Sequence, residues 1–507
     1  MGIGMDAIGG RLTERYVFFG LAALALLMFS IDMSIVAVAL PTMTRELDAP
    51  IGLVGWTITA YGLAQIVVMP LVGKLSEQFG RMRVFLICVA IFTLGSLLCG
   101  LAPNIYALIA FRVLQAIGGG GFLPSATGIV ANEFPESRGK MIGLFASIFP
   151  IGGIIGPNLG GAIVEYLSWR DVFLVNVPIG VLVVALLVRQ ARRSETIVRR
   201  SIDAAGALLF AGMMLCLMLA LTWIGQDVAF WRTPTCWLLF AGAVVLCGLF
   251  VRQERRAPEP MLDLELVVKH PFSTVNAFSF LFGACVFGIF TFIPYYGWLQ
   301  YGMGPLETGA ALTPRSLLMI AFSTVTSLFL LKLGYRALMV GGLVLIASSL
   351  WLLSLGIRTL ELGPIQVNAF WLLAAQVAVA GVGMGVFMPA ANNAGIDLLP
   401  ERTALITAIR AMFRSTGGVI GTALILVIIE LSEDKAAGLR TVFGVLAVMV
   451  LATIPLAMLI PDRARERRVA ARADEVRDVE PSGLDGRTEP TTTPALAGGP
   501  ATRTARH

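Results

Sequence analysis

Long apolar segments separated by short polar ones extend over most of the chain. Each apolar segment is roughly 18 to 26 residues long, and a bilayer core about 30 Å thick needs about 20 helical residues to cross it. The pattern therefore predicts an all-α polytopic membrane protein. About fourteen transmembrane helices are predicted, at residues 17–40, 51–73, 82–102, 105–131, 139–166, 172–190, 203–224, 235–252, 271–298, 306–331, 336–357, 368–393, 403–429 and 440–460.

A short motif recurs between two pairs of these helices. Residues 73–81, between the second and third helices, are echoed by residues 332–336, between the tenth and eleventh. A parallel repeat of two similar halves would explain this echo. We predict two six-helix halves at residues 17–190 and 271–460, with two inserted linker helices at 203–252.

The basic residues of the connecting segments predict the orientation. With a cytoplasmic N-terminus, the cytoplasmic segments carry 23 lysines and arginines and the external segments carry six. Positively charged segments are retained in the cytoplasm, so both termini are predicted there, with residues 1–16 as a short N-terminal segment. Residues 461–507 are polar and cannot bury enough apolar surface to fold, so we predict a disordered cytoplasmic tail.

Composition argues against an enzyme. Hydrophobic residues make up 57% of the chain and charged residues 14%, and the six cysteines form no CxxC pair. The two histidines lie outside the predicted helices, so a histidine-built metal or triad site is not expected. The phosphate-binding motif GxxxxGK[ST] is absent from the sequence, which argues against ATP as the energy source. The net charge of +6 is spread over short loops, so no nucleic-acid partner is predicted.

Asp32 is the only acidic residue that lies deep inside a predicted helix. A carboxylate inside the membrane is costly and is usually functional. Asp32 and Arg112 lie roughly 12 Å and 10 Å from the outer ends of their helices, so they can share one level. Arginine favours the charged aspartate and desolvation favours the protonated one, which makes the pair a candidate proton-coupling site. A permanent structural ion pair is the alternative.

Two glycine motifs indicate helix packing and movement, and not a site of chemical reaction. Residues 152–161 read G-x-x-x-G-P-x-x-G-G, in which glycines four apart expose backbone for close helix packing and the proline kinks the helix. In residues 73–81, two glycines permit tight backbone approach, and a carboxylate and an arginine can bridge helix ends and gate the cytoplasmic side. An ordinary basic turn is the alternative for the second motif. The residues concerned are Gly152, Gly156, Pro157, Gly160 and Gly161 in the first motif and Gly73, Glu77, Gly80 and Arg81 in the second.

Three further arginines lie inside the predicted helices of the second half. Arg315 belongs to the tenth helix, and Arg410 and Arg414 are four residues apart on the thirteenth. Such side chains are expected to face a wet cavity, with snorkelling or local packing as the alternative. A tentative substrate cavity combines them with polar and aromatic residues of the first half: Tyr61, Gln65, Gln115 and Phe149.

These motifs resemble those of the major facilitator superfamily, specifically its fourteen-spanner drug/proton antiporter family of the multidrug efflux type. The resemblance includes residues 31–41 and 112–118, R-x-x-Q-A-x-G in the latter, and R-x-x-G-G-x-x-G in residues 414–421. This sequence departs from the family at Glu77 and Gln78, where Asp and a basic residue are usual, at Ala37, where Asn is common, and at Ala116, where Gly is usual.

The resemblance implies a proton-coupled secondary exporter of small amphiphilic compounds, such as antibiotics, toxic compounds or self-made metabolites. It implies a multi-pass protein of the inner or plasma membrane that uses the proton gradient and no cofactor. The resemblance leaves open whether an accessory periplasmic adaptor takes part in export. The main alternative is a proton-coupled importer or uniporter of a small nutrient on the same fold; a membrane-embedded enzyme or a receptor is a more distant one.

The charge inside the helices yields a first prediction. Four arginines face one deep carboxylate, so a doubly positive cargo would meet net repulsion. We expect cells that produce the protein to export dicationic dyes more weakly than neutral, zwitterionic or anionic amphiphiles, as measured by dye efflux with an uncoupler control. Export of a dication as strong as that of a neutral drug would contradict this.

Overall fold

The computed structural model describes residues 3–134, 141, 144–145, 148–190, 203–258, 260, 264–362, 365–398 and 403–462. Within these ranges, fourteen helices are long and apolar enough to cross a membrane, which confirms the predicted fold class. We number them α1 to α14, and five of them consist of more than one helical segment.

Their bounds are α1 Ile3–Glu46, α2 Ile51–Phe79, α3 Arg81–Gly100, α4 Ile105–Gly119 and Phe122–Glu133, α5 Ile148–Tyr166, α6 Asp171–Leu174 and Asn176–Gln190, α7 Ala204–Gln226, α8 Pro234–Glu254, α9 Phe272–Phe282, Gly283–Phe287, Ile289–Phe292 and Ile293–Tyr301, α10 Pro305–Ala311 and Thr313–Leu333, α11 Tyr335–Ser354, α12 Ala369–Ile396, α13 Thr403–Leu431, and α14 Lys435–Ala452 and Ile454–Met458. A 3₁₀ turn at Val228–Arg232, a short helix at Leu264–Val268 and an antiparallel hairpin of β1 Leu360–Leu362 and β2 Ile365–Val367 lie in the connections.

Helix α1 is longer than predicted. The sequence placed its end near residue 40, but the helix continues through Pro41 to Glu46. At this end the indole Nε1 of Trp169 donates a hydrogen bond of 2.9 Å to Glu46 Oε2, and Arg170 Nη1 lies 3.9 Å from the same oxygen. These contacts tie the extra turn to the α5–α6 connection. The tail residues 463–507 and the predicted helix residues 139–140, 142–143 and 146–147 lie outside the described residues.

The two predicted repeat motifs form similar turns. Gly80 separates α2 from α3 with φ +97°, and Gly334 separates α10 from α11 with φ +81°. Only glycine adopts such backbone angles readily, so both turns need one. Arg81 Nη1 then donates a hydrogen bond of 2.5 Å to the carbonyl of Gly128 in α4. The side chain of Glu77, the other polar member of the predicted gate, lies outside the described residues.

Helix α7 packs across the seam between α2 and α13. Trp56 of α2 donates from Nε1 to Thr222 Oγ1 at 2.7 Å, and Met214 and Met218 share an apolar cluster with Val419 of α13. Helix α8 packs on α7, with the rings of Phe210 and Phe250 5.6 Å apart. The inserted helices therefore attach through α7 to both halves of the protein.

The two halves meet along α5 and α10. Asn158 Nδ2 lies 2.7 Å from Thr313 Oγ1, and the Ser316 hydroxyl donates to the Gly153 carbonyl at 3.3 Å. A side chain at Gly161 would meet the backbone of Pro305, so these helices approach closely at the end of the bundle that holds the α1–α2 turn. We call this the α1–α2 end. Phe149, one turn before Gly153, is 44% exposed and is therefore only partly covered.

Helices α1 and α5 are packed through the glycine motif. The Ser34 hydroxyl donates to the Gly152 carbonyl at 3.2 Å, and Ser30 donates to the Phe149 carbonyl at 2.5 Å. A Cβ atom at Gly156 would collide with the Ser34 hydroxyl. The motif therefore supplies close packing of α5 on α1, and its last glycine, Gly161, lies against α10 of the second half.

This packing yields a matched pair of substitutions on one helix. Gly156→Ala places a methyl group against Ser34 and the Ile31 carbonyl, whereas a Cβ at Gly153 meets nothing within 4 Å. We expect Gly156→Ala to destabilise the fold by about 1–3 kcal/mol, as overpacking does, and Gly153→Ala to stay within about 0.5 kcal/mol. Thermal unfolding in detergent micelles measures both, and equal effects would contradict the packing argument.

Candidate functional site

Asp32 of α1 lies in the interior of the first half. Its side chain is fully buried, and its Oδ2 accepts a hydrogen bond of 2.8 Å from Nη1 of Arg112 in α4. Arg112 is itself only 2% exposed. The structure therefore brings together the two residues that the sequence predicted as a pair.

Two amides complete the shell around the carboxylate. Gln115 Nε2 and Asn176 Nδ2 both donate to Asp32 Oδ1, at 2.8 and 3.0 Å. With the guanidinium, three donors thus face two carboxylate oxygens. Hydrogen bonds to an ionised group are stronger than neutral ones, and a buried charge is tolerated only when it is compensated in this way.

Arg112 is fixed by contacts of its own. Its Nε donates to the Thr57 carbonyl of α2 at 3.0 Å, and its Nη1 also donates to Gln115 Oε1 at 2.6 Å. The guanidinium carbon lies 3.9 Å from the centre of the Tyr61 ring and 5.6 Å from that of Phe173. The arginine is therefore clamped between a carbonyl, an amide and two aromatic rings.

The spacing of polar residues along the helices explains how the site is assembled. Arg112 and Gln115 are three residues apart on α4, so their side chains share one face. Gln115 Nε2 uses its second hydrogen on Ser96 Oγ of α3, at 2.7 Å. A side chain at Gly95 would collide with the backbone of Gln115, so this glycine lets α3 approach closely enough for that bond.

The site therefore joins five helices of the first half around one charge. Residues from α1, α2, α3, α4 and α6 contribute donors, acceptors or rings. A proton placed on Asp32 would cancel the charge that Arg112 balances and would weaken the charge-assisted bonds to the carboxyl group. Because the carboxylate is 0% exposed, exchange of that proton with water requires these helices to move.

The tentative cavity residues are divided between different places. Tyr61 and Gln115 are almost fully buried and contact Asp32 or Arg112, whereas Gln65 and Phe149 are at least partly exposed. The arginines of the tentative cavity, Arg315, Arg410 and Arg414, lie in the second half. In this state the buried pair and the second-half arginines thus form separate groups.

Sequence reasoning missed part of the polar shell. Asn176 is a single polar residue between Val175 and Val177 at the start of an apolar helix. This isolated amide was the sequence signal for its place in the polar shell. Ser96 carried no comparable signal, because serine inside a helix commonly bonds its own backbone. Glu430 was also missed, since the predicted helix ended at residue 429.

Glu430 lies close to the α1–α2 end, on α13 and beside α2. Its side chain is 13% exposed, and its Oε2 is 3.9 Å from Lys435 Nζ. It lines a small cavity together with Trp56 of α2 and Thr222 of α7. Glu430 is thus a largely covered carboxylate at the seam between the halves, outside the Asp32 site.

The buried pair yields a stability prediction. Arg112→Met leaves the Asp32 charge without its main partner, so we expect a loss of about 3–5 kcal/mol, as measured for broken buried pairs. Adding Asp32→Asn removes the uncompensated charge and should restore part of the loss. Thermal unfolding of the purified single and double variants measures both effects.

Arg232→Met serves as the control, because Arg232 is exposed in the α7–α8 connection. Additive losses in the Arg112 and Asp32 variants would argue against a coupled pair.

The family model of the Major Facilitator Superfamily matches residues 22–327 and 277–500. In Bacillus subtilis (strain 168), Multidrug transporter protein MdtP is 30% identical over 419 residues, which cover 82% of this chain and 75% of that protein. Multidrug resistance protein 3 of the same organism is 32% identical over 416 residues, which cover 81% and 79%.

Among solved structures, similarity extends over nearly the whole fold. A bacterial homologue of the human lysosomal transporter Spinster, in an inward-facing and unoccupied conformation, aligns with a TM-score of 0.62 and 16% identity. The alignment covers 89% of this chain and 97% of that one. At this identity the likeness concerns the fold alone.

Proposed function

The chain belongs to the Major Facilitator Superfamily, a family of transporters, and from this premise we propose that it is a proton-coupled exporter of small amphiphilic compounds. The observation that carries the proposal is the fully buried Asp32 carboxylate, held by Arg112 inside membrane-crossing helices. An ionisable group at such depth is costly and is expected to serve transport of protons or cargo. Export is supported by the names of the two multidrug relatives.

The proposed cycle alternates between two states of the halves. With the basic connections in the cytoplasm, the α1–α2 end faces outside, and the α5–α10 contacts close that side. Separation of these contacts would open the first half outward and let water reach Asp32. A proton bound there would neutralise the carboxylate, weaken its hold on Arg112 and free the helices to rearrange.

Return to the closed state would release the proton inward. When the α1–α2 end closes again, Arg112 and the two amides would re-form their bonds to the ionised carboxylate. Three charge-assisted bonds form in the closed state and are lost in the open state. Their loss and recovery supply the free-energy difference that couples proton entry to cargo export. The proton gradient is thus the proposed energy source, without a cofactor.

The membrane and the orientation are part of the same proposal. The fourteen apolar helices make the chain a multi-pass membrane protein. We assign it to the inner or plasma membrane with both termini in the cytoplasm, because most basic connecting residues fall on that side.

The coupling proposal is tested by Asp32→Asn. The amide keeps the size of the side chain but cannot titrate, so we expect transport driven by a pH gradient to fall to the level of empty vesicles. The measurement is uptake of fluorescent amphiphiles into inverted membrane vesicles, with an uncoupler added at the end. Equal amounts of wild type and variant in the membrane must be verified by immunoblot.

A matched control separates coupling from general damage. Asp227→Asn changes an acid to the same amide at the N-cap of the Val228–Arg232 turn, where asparagine caps equally well. It should transport as wild type does. Gradient-driven transport at the wild-type rate in Asp32→Asn would overturn the proton-carrier role. If cells that produce the protein accumulated more cargo than cells without it, import would be favoured instead of export.

A further inference from the structure

The second half contains interior arginines without acidic partners. Among the described residues, no carboxylate lies within 4 Å of Arg315, Arg410 or Arg414, in contrast to Arg112 in the first half. Two acids of this half have other partners: Glu430 lies 3.9 Å from Lys435, and Asp397 accepts from the Tyr335 hydroxyl at 2.6 Å. A charge inside a membrane protein is costly unless an ion or water compensates it.

Two of these arginines rest on the aromatic rings of one broken helix. The guanidinium carbon of Arg315 lies 5.1 Å from the centre of the Phe290 ring, and that of Arg414 lies 5.1 Å from Phe287. Phe287 ends the π-helical segment of α9 and Phe290 lies in its 3₁₀ segment. Local π and 3₁₀ geometry inside a long helix frequently marks a functional position.

The backbone holds both arginines firmly at these rings. A Cβ atom at Gly381 of α12 would collide with the carbonyl of Arg315, and one at Gly283 of α9 would collide with that of Arg414. These glycines let neighbouring helices pack directly on the two positions. The arginine backbones are therefore placed by close helix contacts, while their charged ends form no ion pair with any described residue.

Arg410 is placed differently. Its Nη1 donates to the Asn392 carbonyl at 3.2 Å, and its side chain packs against Gly395 of α12. It is 9% exposed and is therefore part of the packing between α12 and α13. Arg315 and Arg414, in contrast, lie over aromatic rings.

The position of the pair fits a transported ligand. Arg315 precedes Ser316, whose hydroxyl contacts Gly153 of the other half, so it lies beside the seam between halves. The Nε of Arg315 is buried without a hydrogen-bond partner among the described residues. Phe287 is 46% exposed and offers an apolar surface next to Arg414.

We propose that Arg315 and Arg414 bind the anionic group, such as a carboxylate, sulfonate or phenolate, of an amphiphile whose apolar body contacts the rings of α9. A guanidinium stacked on a ring keeps its in-plane N–H donors for such a group. The inference rests on the proposed export function and names the chemical class of its cargo.

Equilibrium binding to the full chain in phosphatidylcholine nanodiscs tests it, with empty discs subtracted. The probes are 8-anilinonaphthalene-1-sulfonate and N-phenyl-1-naphthylamine, which share their ring system and differ in the sulfonate. We expect the sulfonate to bind about tenfold more tightly, since charged hydrogen bonds are worth that much. Its affinity should fall with added salt, whereas the neutral probe should be insensitive.

Substitutions at the two arginines locate the site. Arg315→Gln and Arg414→Gln should each weaken the sulfonate about tenfold and leave the neutral probe within about twofold. Arg315→Lys keeps the charge and should retain part of the affinity, and the exposed control Arg232→Gln should change neither probe. Equal binding of the two wild-type probes, or wild-type sulfonate affinity in Arg315→Gln, would overturn the inference.

The same assay separates cargo from lipid, because a lipid phosphate offers the same chemistry. If the site takes cargo, discs that contain phosphatidylglycerol should leave the sulfonate affinity unchanged. If a lipid headgroup occupies the arginines, the same discs should lower it. Either result supports an anion site. Binding is measured without a proton gradient, so failed transport and a failed anion site remain distinguishable.

Discussion

The structure of the first half depends on the compensation of one buried charge. Asp32 lies where water cannot reach it, and its carboxylate is held by the Arg112 guanidinium and the amides of Gln115 and Asn176. Each of these donors comes from a helix that must approach within a few ångströms of α1. The position of the charge therefore constrains the arrangement of α1, α4 and α6, and a change in its protonation acts on all of them at once.

Glycine makes this arrangement sterically possible. Gly95 allows α3 to reach Gln115, and Gly156 allows α5 to pack on Ser34 of α1, only two residues from Asp32. The same helix α5 contacts α10 of the other half through Asn158. The buried pair and the seam between the halves are thus connected through α1 and α5, and such a connection is what alternating access by rigid halves requires.

The two halves handle interior charge in opposite ways. The first half neutralises Arg112 with Asp32, whereas Arg315 and Arg414 of the second half lie over aromatic rings, with no carboxylate within 4 Å in the part of the chain that the structure describes. In the first half a proton can change the balance of charge. In the second half the missing negative charge would come from a ligand. This asymmetry is the basis of the proposed division of the proton and cargo roles between the halves.

The sequence by itself determined the fourteen crossings, the helical fold and the pairing of Asp32 with Arg112, because apolar length and isolated intramembrane charges are local properties of the chain. It also indicated the glycine contacts of α5 from their spacing of four. The tertiary structure alone decided that Tyr61 and Gln115 belong to the buried pair and that Asn176 completes it. It also decided that Arg410 packs on α12 and that Arg315 and Arg414 lie over rings of α9, with no ion pair to any residue that the structure describes. Those facts depend on which faces of distant helices meet, and hydropathy carries no information about rotation around a helix axis when the helix is apolar on every side.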